Sequence, residues 1–352
     1  MTALQTPICD LFGIEVPIVQ TGMGWVAGAR LVTATANAGA LGILASATMT
    51  YEQLEAAIRE VKARTDRSFG VNLRADAEDA AERVRLLVRE GVKVASFALA
   101  PNEAQIKTLK DAGVRVVPSI GARRHAEKVA AWGVDAVIVQ GGEGGGHTGA
   151  VATTLLLPQV VDAVDLPVIA AGGFFDGRGL VAALAYGAAG VAMGTRFLLT
   201  RESTVPDTVK QYYLARSVTD TVVTTRIDGV PHRVLRTEFV DELERSNAVT
   251  ALPRALRNAV AFKKLSGTSW RGMLREGLAM KRESDLKWSQ VVLAANTPML
   301  LRAGLVEGRL DGGVLSSGQV AGLIDDLPSV AEVVARVIGE AEATLKRLGD
   351  LS

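Results

Sequence analysis

The sequence predicts an α/β protein, a TIM (β/α)8 barrel with an appended, mostly helical subdomain. Eight short β-branched or apolar runs recur between residues 17 and 195, and segments with helical periodicity separate them. The runs start roughly 22–30 residues apart, about one strand, loop and helix, which is typical of parallel βαβ units. This rhythm stops after residue 200. A doubly wound open sheet is the alternative, because the number of strands does not show that a sheet closes.

The eight predicted strands are short and each is followed by a helical pattern. In chain order they are PIVQTG (17–22), LGILA (41–45), FGVNL (69–73), VKVASFAL (92–99), VRVVPSI (114–120), DAVIVQGG (135–142), LPVIAAGG (166–173) and AGVAMGT (189–195). With their helices they occupy about 195 residues, against the roughly 250 that such a barrel typically needs with its loops.

The segments between the strands are predicted as helices from their own periodicity. In YEQLEAAIREVKART, Leu54, Ile58 and Val61 fall on one face and charged residues on the other. AEDAAERVRLLVREG and RRHAEKVAAWG have the same pattern, and each stops at a glycine suited to end a helix.

The end of the strand–helix rhythm divides the chain into three predicted parts. Residues 1–200 form the barrel. Residues 201–312 form a helical insertion or lid, with helical patterns in TALPRALRNAVAFKKL, SWRGMLREGLAMKRES and SQVVLAANTPMLLRAG; the pattern permits both a cover over the site and an interface. Residues 313–352 form a C-terminal segment, in which Pro328 and Ser329 open an amphipathic helix that is expected to pack back on the barrel.

The composition narrows the classes of protein and of partner. The 352 residues include 39 Lys and Arg and 38 Asp and Glu, and the net charge of +1 argues against a nucleic-acid partner. The single Cys9 excludes an intramolecular disulfide, and no His, Asp or Glu cluster has metal-ligand spacing, so no metal is predicted. No apolar run is long enough to span a membrane, and the first residues lack a basic region followed by an apolar stretch. We therefore expect a cytoplasmic protein without a membrane partner.

The loop after the sixth strand is the first candidate site, because barrel active sites lie at the carboxyl ends of the strands. This loop, VIVQGGEGGGHTGAV (137–151), holds one of only three histidines, His147, among many glycines. Its formal G-x-G-x-x-G match is interpreted as accidental, since the next strand ends in Gly172 and Gly173 rather than in an acidic residue. The loop therefore either holds backbone close to a ligand or is a flexible surface loop.

Two glycine-containing turns after the seventh and eighth strands predict a phosphate site. AAGGFFDGRG contains Gly172 and Gly173, AMGTRF contains Gly194 and Thr195, and a helix is expected to start near Asp176. Backbone amides, a hydroxyl and a helix N-terminus at this place in a barrel are suited to a phosphate dianion. The alternative is two tight turns that need glycine for a positive φ.

Other strand ends are suited to a flavin ring, which needs backbone lying almost against it. The first strand is followed by Gly22, Met23 and Gly24. Asn72 and Gln140 could hydrogen-bond the polar edge of the ring, and His147 would stand over its reactive face as acid or base. Alternatively, His147 only packs against its own loop.

Several segments appear in the order found in a known family. They are QTGMGWVAGARLVTATANAGALGIL, FGVNL, VIVQGGEGGGHTG, VIAAGGFFDGRG, VAMGTRFLLT and GVLSSGQVAGLI. From Gln20 to about residue 345, the chain resembles the FMN-dependent nitronate monooxygenase (2-nitropropane dioxygenase-like) superfamily, which includes the FMN type of enoyl-acyl-carrier-protein reductase. It is also similar to actinobacterial members that act on acyl-CoA intermediates of steroid-ring breakdown. Thr21 and Gly22 before Met23, and then Trp25, depart from the usual monooxygenases and favour the reductase side of the superfamily.

The resemblance implies FMN as cofactor and a role for each matching residue. His147 matches the catalytic histidine of the family. The residues matching its flavin-ring contacts are Gly22, Met23, Gly24, Asn72, Gln140 and Gly145. Those matching its FMN-phosphate contacts are Gly172, Gly173, Gly194 and Thr195, and a late glycine–glutamine flavin contact is matched by Ser317, Gly318 and Gln319.

Three functions are consistent with these observations. The first is an FMN-dependent oxidoreductase at the α,β-carbons of an acyl-CoA thioester, by dehydrogenation or enoyl reduction, in steroid or cholesterol ring catabolism. The second is a nitronate monooxygenase. The third, from another class, is a non-catalytic flavin or phosphate-ligand binding protein.

An acyl-CoA substrate would need cations for its phosphates, and arginine binds phosphate in bidentate fashion. The candidates are Arg123, Arg124, Arg226, Arg233 and Arg236. The alternative is ordinary solvated basic segments. The predicted partners also include NAD(P)H or another electron carrier, and a second copy of the chain in a homodimer.

Overall fold

In the computed structural model, eight parallel strands form a closed barrel; the structure describes residues 4–98, 101–245 and 296–351. The first nine strands of the chain are β1 (Ile18–Gln20), β2 (Leu41–Ala45), β3 (Phe69–Leu73), β4 (Val94–Phe97), β5 (Arg115–Ile120), β6 (Val137–Gln140), β7 (Gly146–His147), β8 (Val168–Ala171) and β9 (Gly190–Met193). All but β7 belong to the barrel, in the order β1-β2-β3-β4-β5-β6-β8-β9. The predicted TIM barrel and its eight strands are confirmed.

The barrel closes between its first and last strands. In β1, Val19 lies opposite Leu41 of β2 on one side and opposite Ala192 of β9 on the other. The open-sheet alternative is therefore wrong. Because all eight strands run the same way, their carboxyl ends meet at a single mouth.

The opposite end of the barrel is closed by the first helix, α1 (Pro7–Phe12). Ile8 and Phe12 of α1 are buried in one cluster with barrel residues such as Val19 and Ile169. Gly190, the first residue of β9, lies so close to this helix that an added Cβ would be 2.6 Å from Ile8 Cδ1. The interior at this end is therefore a packed core, and space for a ligand remains at the mouth.

A helix follows each barrel strand. These helices are α2 (Ala29–Asn37), α3 (Tyr51–Lys62), α4 (Ala80–Arg89), α5 (Glu103–Asp111), α6 (Arg123–Ala131), α7 (Thr153–Val161), α8 (Gly177–Ala185) and α9 (Thr195–Leu198). In α3 the predicted face is confirmed, since Leu54, Ile58 and Val61 are all fully buried. A reciprocal pair of hydrogen bonds between Thr50 and Gln53 caps its N-terminus, which satisfies two otherwise unpaired amides.

After the barrel, short strands and helices alternate. They are α10 (Asp207–Leu214), β10 (Thr221–Thr224), β11 (His232–Leu235), α11 (Glu238–Arg245), α12 (Asn296–Leu305), a 3-10 turn (Gln319–Leu323) and α13 (Val330–Gly349). β10 and β11 form an antiparallel hairpin, and β11 also pairs with β7, so a three-stranded sheet lies beside the glycine-rich loop.

This sheet adds two strands to a segment that was expected to be mostly helical. Its strands are four residues long and mix polar with apolar side chains, so they carry little sequence signal. The helices predicted over 250–265 and 269–284 lie outside the described residues, whereas α12 overlaps the third predicted segment, 289–304. The domain boundaries after residues 200 and 312 stay predictions.

The C-terminal helix α13 packs against α8. Ser329 and Glu332 form a capping box at its start, and Val330, Val333 and Val337 are buried. Contact between the two helices is close enough that a Cβ on Gly177 would overlap the backbone of α13. Within the described ranges, no helix combines the length and the apolar character needed to cross a bilayer.

Candidate active site

A cavity of about 510 Å³ opens at the mouth of the barrel. Its walls come from the ends of the barrel strands, the glycine-rich loop, the β10–β11 hairpin and α12. Pockets that bury small ligands are typically of this size and are built from several elements. The cavity therefore lies where a barrel enzyme places its active site.

Most of the residues predicted to form the site line this cavity. They are Gly22, Met23, Gly24, Asn72, Gln140, Gly145, His147, Gly172, Gly173, Gly194, Thr195 and Gly318. Ser317 and Gln319 lie behind the wall of the cavity. The Ser317 hydroxyl is buried and donates to the Gly318 carbonyl. The Gln319 backbone amide donates to the Glu143 carbonyl. The fold thus brings the predicted site together, while the cofactor role of each residue stays a prediction.

The glycine-rich loop is held in place by the protein. The Glu143 carboxylate accepts hydrogen bonds from the amide and the hydroxyl of Thr153, at 2.9 and 2.7 Å, and so caps the start of α7. A Cβ on Gly144 would lie 2.7 Å from Gln140 Nε2, and one on Gly145 would lie 2.5 Å from the Ser317 carbonyl carbon. Packing within the protein therefore requires glycine at these two positions, which favours an ordered loop over the flexible-loop alternative.

The glycine turns after β8 and β9 have features of an anion cradle. Gly172 and Gly173 have φ values of 89° and 90°, which an L side chain rarely adopts. The Thr195 hydroxyl oxygen accepts from the Gly318 amide at 3.0 Å, so its proton is available to a ligand. These backbone and hydroxyl donors line the cavity and fit a phosphate group.

The start of α8 does not contribute to this cradle as expected. The Gly177 amide donates to the Glu340 carboxylate and the Gly179 amide to the Asp176 carboxylate, each at 2.9 Å. Two carboxylates therefore already satisfy the first turn of the helix. The prediction of an anion at this helix N-terminus is wrong.

His147 faces the cavity with an anionic partner behind it. Its Nε2 lies 2.6 Å from Oδ2 of Asp228, which belongs to the β10–β11 connection. The Asp228 side chain is only 4% exposed, whereas that of His147 is 54% exposed. Burial raises the pKa of Asp228, but the hydrogen bond from His147 and the nearby His232 outweigh this and hold that pKa well below its ordinary value. Asp228 is therefore an ionised acceptor.

Two further donors fix the Asp228 carboxylate. The Thr297 hydroxyl donates to Oδ2 at 2.6 Å, and the Val230 amide donates to Oδ1 at 3.1 Å. Oδ2 thus accepts two hydrogen bonds, from His147 and from Thr297. The carboxylate can neither rotate nor approach water without losing these partners.

A second histidine, His232, packs against His147. The two ring centroids are 4.7 Å apart, and the residues lie opposite each other where β7 pairs with β11. His232 Nε2 lies 2.7 Å from the Ser316 hydroxyl, while Nδ1 is 3.9 Å from Asp228 Oδ2, beyond hydrogen-bond range. Burial lowers the pKa of His232, so this ring is neutral near pH 7.

The fold also assembles a group that the sequence did not reveal. The potential ligand atoms of His147, Asp228 and His232 lie within 4.8 Å of one another and could hold a metal ion. Sequence spacing could not show this cluster, because pairing of β7 with β11 joins positions more than 80 residues apart. For the same reason Asp228, Thr297 and Ser316 were missed.

The arginines proposed for CoA lie outside the cavity wall. Arg123, Arg124, Arg226 and Arg236 are exposed. Arg233 is half-buried and donates to the Gly142 carbonyl at 2.9 Å and to the Thr221 hydroxyl at 2.8 Å, so it supports the glycine-rich loop. Their role toward CoA stays a prediction.

Comparison with known proteins finds the same family along most of the chain. The model of the family "Nitronate monooxygenase" matches residues 5–340. A Mycobacterium tuberculosis protein named (3aS,4S,5R,7aS)-5-hydroxy-7a-methyl-1-oxo-octahydro-1H-indene-4-carboxyl-CoA dehydrogenase is 66% identical over 341 residues, 96% of each chain. A Rhodococcus jostii protein of the same name is 63% identical over 351 residues, 100% of this chain and 99% of that one. The solved structure of FabK from Thermotoga maritima has a TM-score of 0.82 and 34% identity, covering 99% of this chain and 100% of that chain.

Proposed function

The chain belongs to the nitronate monooxygenase family of flavin-dependent oxidoreductases, and from this premise we propose that it dehydrogenates a hydroindane-carboxyl-CoA with FMN as cofactor. The observation that carries the proposal is the hydrogen bond between His147 and the Asp228 carboxylate at the mouth of a barrel whose relatives, at 66% and 63% identity, are named for that substrate. A bicyclic ring with an angular methyl group and a ketone is the remnant of two steroid rings. The proposed place is therefore in steroid or cholesterol ring catabolism.

The residues present fit FMN. Gly172, Gly173, Gly194 and Thr195 offer backbone amides and a hydroxyl to the phosphate, in conformations that a Cβ would disfavour at two of these positions. Asn72 donates to the Ser96 hydroxyl at 3.2 Å, and Gln140 donates to the His147 carbonyl at 2.8 Å. These bonds fix the rotation of both amide side chains, as a ring-binding pair requires. When bound, FMN supplies the acceptor for the hydride that leaves the β-carbon.

The protein's own contribution is proton transfer and positioning. The thioester carbonyl acidifies the α C–H bond, and His147 takes that proton while the α,β double bond forms. His147 is suited to this task because its side chain is half-exposed at the cavity and backed by the Asp228 carboxylate. A positioned general base contributes about 10²–10⁴ in rate. Ser317 and Gln319 support the wall behind the cavity rather than contact the substrate.

Anaerobic mixing tests the proposal directly. The FMN-loaded protein is mixed with 5-hydroxy-7a-methyl-1-oxo-octahydro-indene-4-carboxyl-CoA without oxygen. The visible absorbance of the oxidised flavin is then followed over time. We expect the absorbance to be lost and an α,β-unsaturated thioester to form. Retained absorbance, together with rapid oxygen uptake on propionate-3-nitronate, would instead support nitronate oxidation, the second candidate, which the family name favours.

A third outcome would support the non-catalytic alternative. A protein that binds FMN but is neither reduced by acyl-CoA nor active on nitronates would be a binding protein. NAD(P)H or another electron carrier and a homodimer stay predictions. The same assay with oxidised NAD(P)+ or another electron acceptor added would identify the carrier that reoxidises the flavin.

A further inference from the structure

We propose that Asp228 is a positioning residue that holds His147 in the tautomer whose Nδ1 takes the substrate proton. The proposal rests on the function proposed for His147. It adds a second residue to the base and assigns the ring nitrogen that acts.

The hydrogen bond defines the tautomer. An ionised carboxylate only accepts, so at 2.6 Å from Asp228 Oδ2 the Nε2 atom of His147 must carry a proton. In the neutral ring, Nδ1 then has the free lone pair. The Asp228 side chain, 4% exposed, is buried too deeply for water to compete for this bond.

The surrounding protein enforces the arrangement from two sides. The backbone of His147 is held where β7 pairs with β11, His147 opposite His232. The carboxylate is held by the Thr297 hydroxyl and the Val230 amide, at 2.6 and 3.1 Å. Both partners of the His147–Asp228 bond are therefore fixed before a ligand arrives, which is what preorganisation of a base requires.

The neighbouring His232 does not compete for the carboxylate. Its Nδ1 has no hydrogen-bond partner among the described residues and is 3.9 Å from Asp228 Oδ2. Its Nε2 is occupied with the Ser316 hydroxyl. His232 is 2% exposed and shields the carboxylate from water, whereas the His147 side chain is 54% exposed and is the more accessible ring of the two.

The geometry favours a proton over a metal ion in this cluster. Oδ2 already accepts from both His147 and Thr297, and an ion would have to displace both donors. A metal at the cluster of His147, Asp228 and His232 is the competing interpretation. It is an outcome of the test below.

Asp228→Asn is the sharpest variant, because its neighbours dictate how the new amide sits. The Val230 amide keeps the side-chain oxygen on its own side, so the NH2 group takes the place of Oδ2 and points at His147 and Thr297. An NH2 donor there selects the opposite tautomer of His147, with the proton on Nδ1. The shape of the side chain is unchanged.

The first measurement needs no substrate. Only three histidines are present, so ¹⁵N-histidine NMR of the FMN-loaded protein can resolve each ring. We expect His147 to be protonated on Nε2 in the unchanged protein and on Nδ1 in Asp228→Asn. An Nδ1–H tautomer in the unchanged protein, or the same tautomer in both proteins, would overturn the proposal.

The second measurement is the anaerobic rate of flavin reduction by the hydroindane-carboxyl-CoA. We expect Asp228→Asn to lower this rate by about 10²–10⁴-fold, the usual contribution of a general base, with little change in the apparent substrate affinity. Asp326→Asn is the matched control, since Asp326 is also an ion-paired carboxylate, 2.9 Å from Arg196, but lies away from the cavity. We expect it to leave the rate unchanged.

The outcomes separate the two proposals. If the unchanged protein is not reduced, the proposed function fails while the tautomer measurement still tests Asp228. If it is reduced and Asp228→Asn is reduced equally fast, Asp228 is not the positioning residue. Loss of the unchanged protein's activity on treatment with EDTA, restored by Zn²⁺, would assign the cluster to a metal and overturn the proposal.

Discussion

At the scale of single residues, the properties of the residues that line the cavity depend on their buried neighbours and on their backbone angles. His147 is half-exposed at the cavity, yet its orientation depends on Asp228, which is almost fully buried. Gly172 and Gly173 matter through backbone angles that other residues rarely adopt. Each of these residues can be changed without removing its neighbours, so each gives a separate test.

Replacing His147, the proposed base, should slow the chemistry and leave the cofactor bound. We expect His147→Ala to slow anaerobic flavin reduction by about 10²–10⁴-fold, because only the proton acceptor is lost. FMN affinity, measured by the quenching of flavin fluorescence, should stay close to that of the unchanged protein. Unchanged turnover would remove this histidine from the mechanism and favour a binding protein. His125→Ala is the control, since His125 is an exposed residue of α6.

Replacing Gly173 should weaken FMN binding. An alanine there would have to adopt a φ of 90°, at a cost of about 1–2 kcal/mol, or turn the peptide away from the phosphate. The nearest atom to the added Cβ would be 3.7 Å away, so the effect would come from the backbone and not from a clash. We expect the FMN dissociation constant to rise roughly tenfold in a fluorescence titration. Gly339→Ala, in open space on α13, is the control, and an equal effect there would contradict the phosphate assignment.

At the scale of secondary structure, elements differed in how far the sequence predicted them. The barrel strands are apolar runs in a regular rhythm with amphipathic helices, and every one was recognisable. The hairpin strands Thr221–Thr224 and His232–Leu235 were missed, because they are short and half polar. They are stabilised by pairing with each other and with the glycine-rich loop, which local patterns do not show.

Tertiary pairing, which local sequence patterns do not show, also explains which residues of the site could not be predicted. Residues at strand ends could be predicted because a barrel gathers all such ends at one mouth. Asp228, Thr297 and Ser316 could not, because they belong to later segments whose return to the mouth is decided by tertiary pairing. Gly145 was predicted to contact the flavin ring, and its packing against Ser317 is a second reason for a glycine there that the sequence did not show.

Arg233 provides a test of whether the hairpin supports the loop. Its guanidinium donates to the Gly142 carbonyl and the Thr221 hydroxyl, so Arg233→Gln should lower the free energy of unfolding by about 1–3 kcal/mol and slow flavin reduction. Chemical denaturation and stopped-flow absorbance measure the two effects. If Arg233 instead binds CoA phosphates, the KM for acyl-CoA will rise with no loss of stability. Arg59→Gln, at an exposed ion pair with Glu55 on α3 and outside the predicted CoA contacts, is the control.

At the scale of the whole molecule, burial of titratable groups links stability to pH. Burial lowers the pKa of His232 below its ordinary 6.5. Below pH 6.5 the unfolded chain therefore takes up a proton that the folded chain does not, so the free energy of unfolding falls as the pH falls. Each such group contributes a slope of at most about 1.4 kcal/mol per pH unit. Asp228, whose folded pKa is also depressed, adds a loss in the same direction at more acidic pH.

We therefore expect denaturation midpoints to decrease between pH 7 and pH 5.5. The decrease should be smaller in His232→Gln, because its buried position no longer titrates. Urea unfolding followed by circular dichroism at each pH measures both slopes. Parallel pH dependences in the two proteins would show that this histidine does not govern acid stability.

The hydrogen bond between the Gly318 amide and the Thr195 hydroxyl has a consequence for biosynthesis. The last barrel strand ends at residue 193, so a ribosome releases all eight strands well before residue 318, and until then the wall of the cavity lacks Gly318. We expect the cell to load riboflavin 5′-phosphate late, once the last segment has emerged. Yellow colour then marks a chain that has been made beyond residue 318 rather than the barrel strands alone.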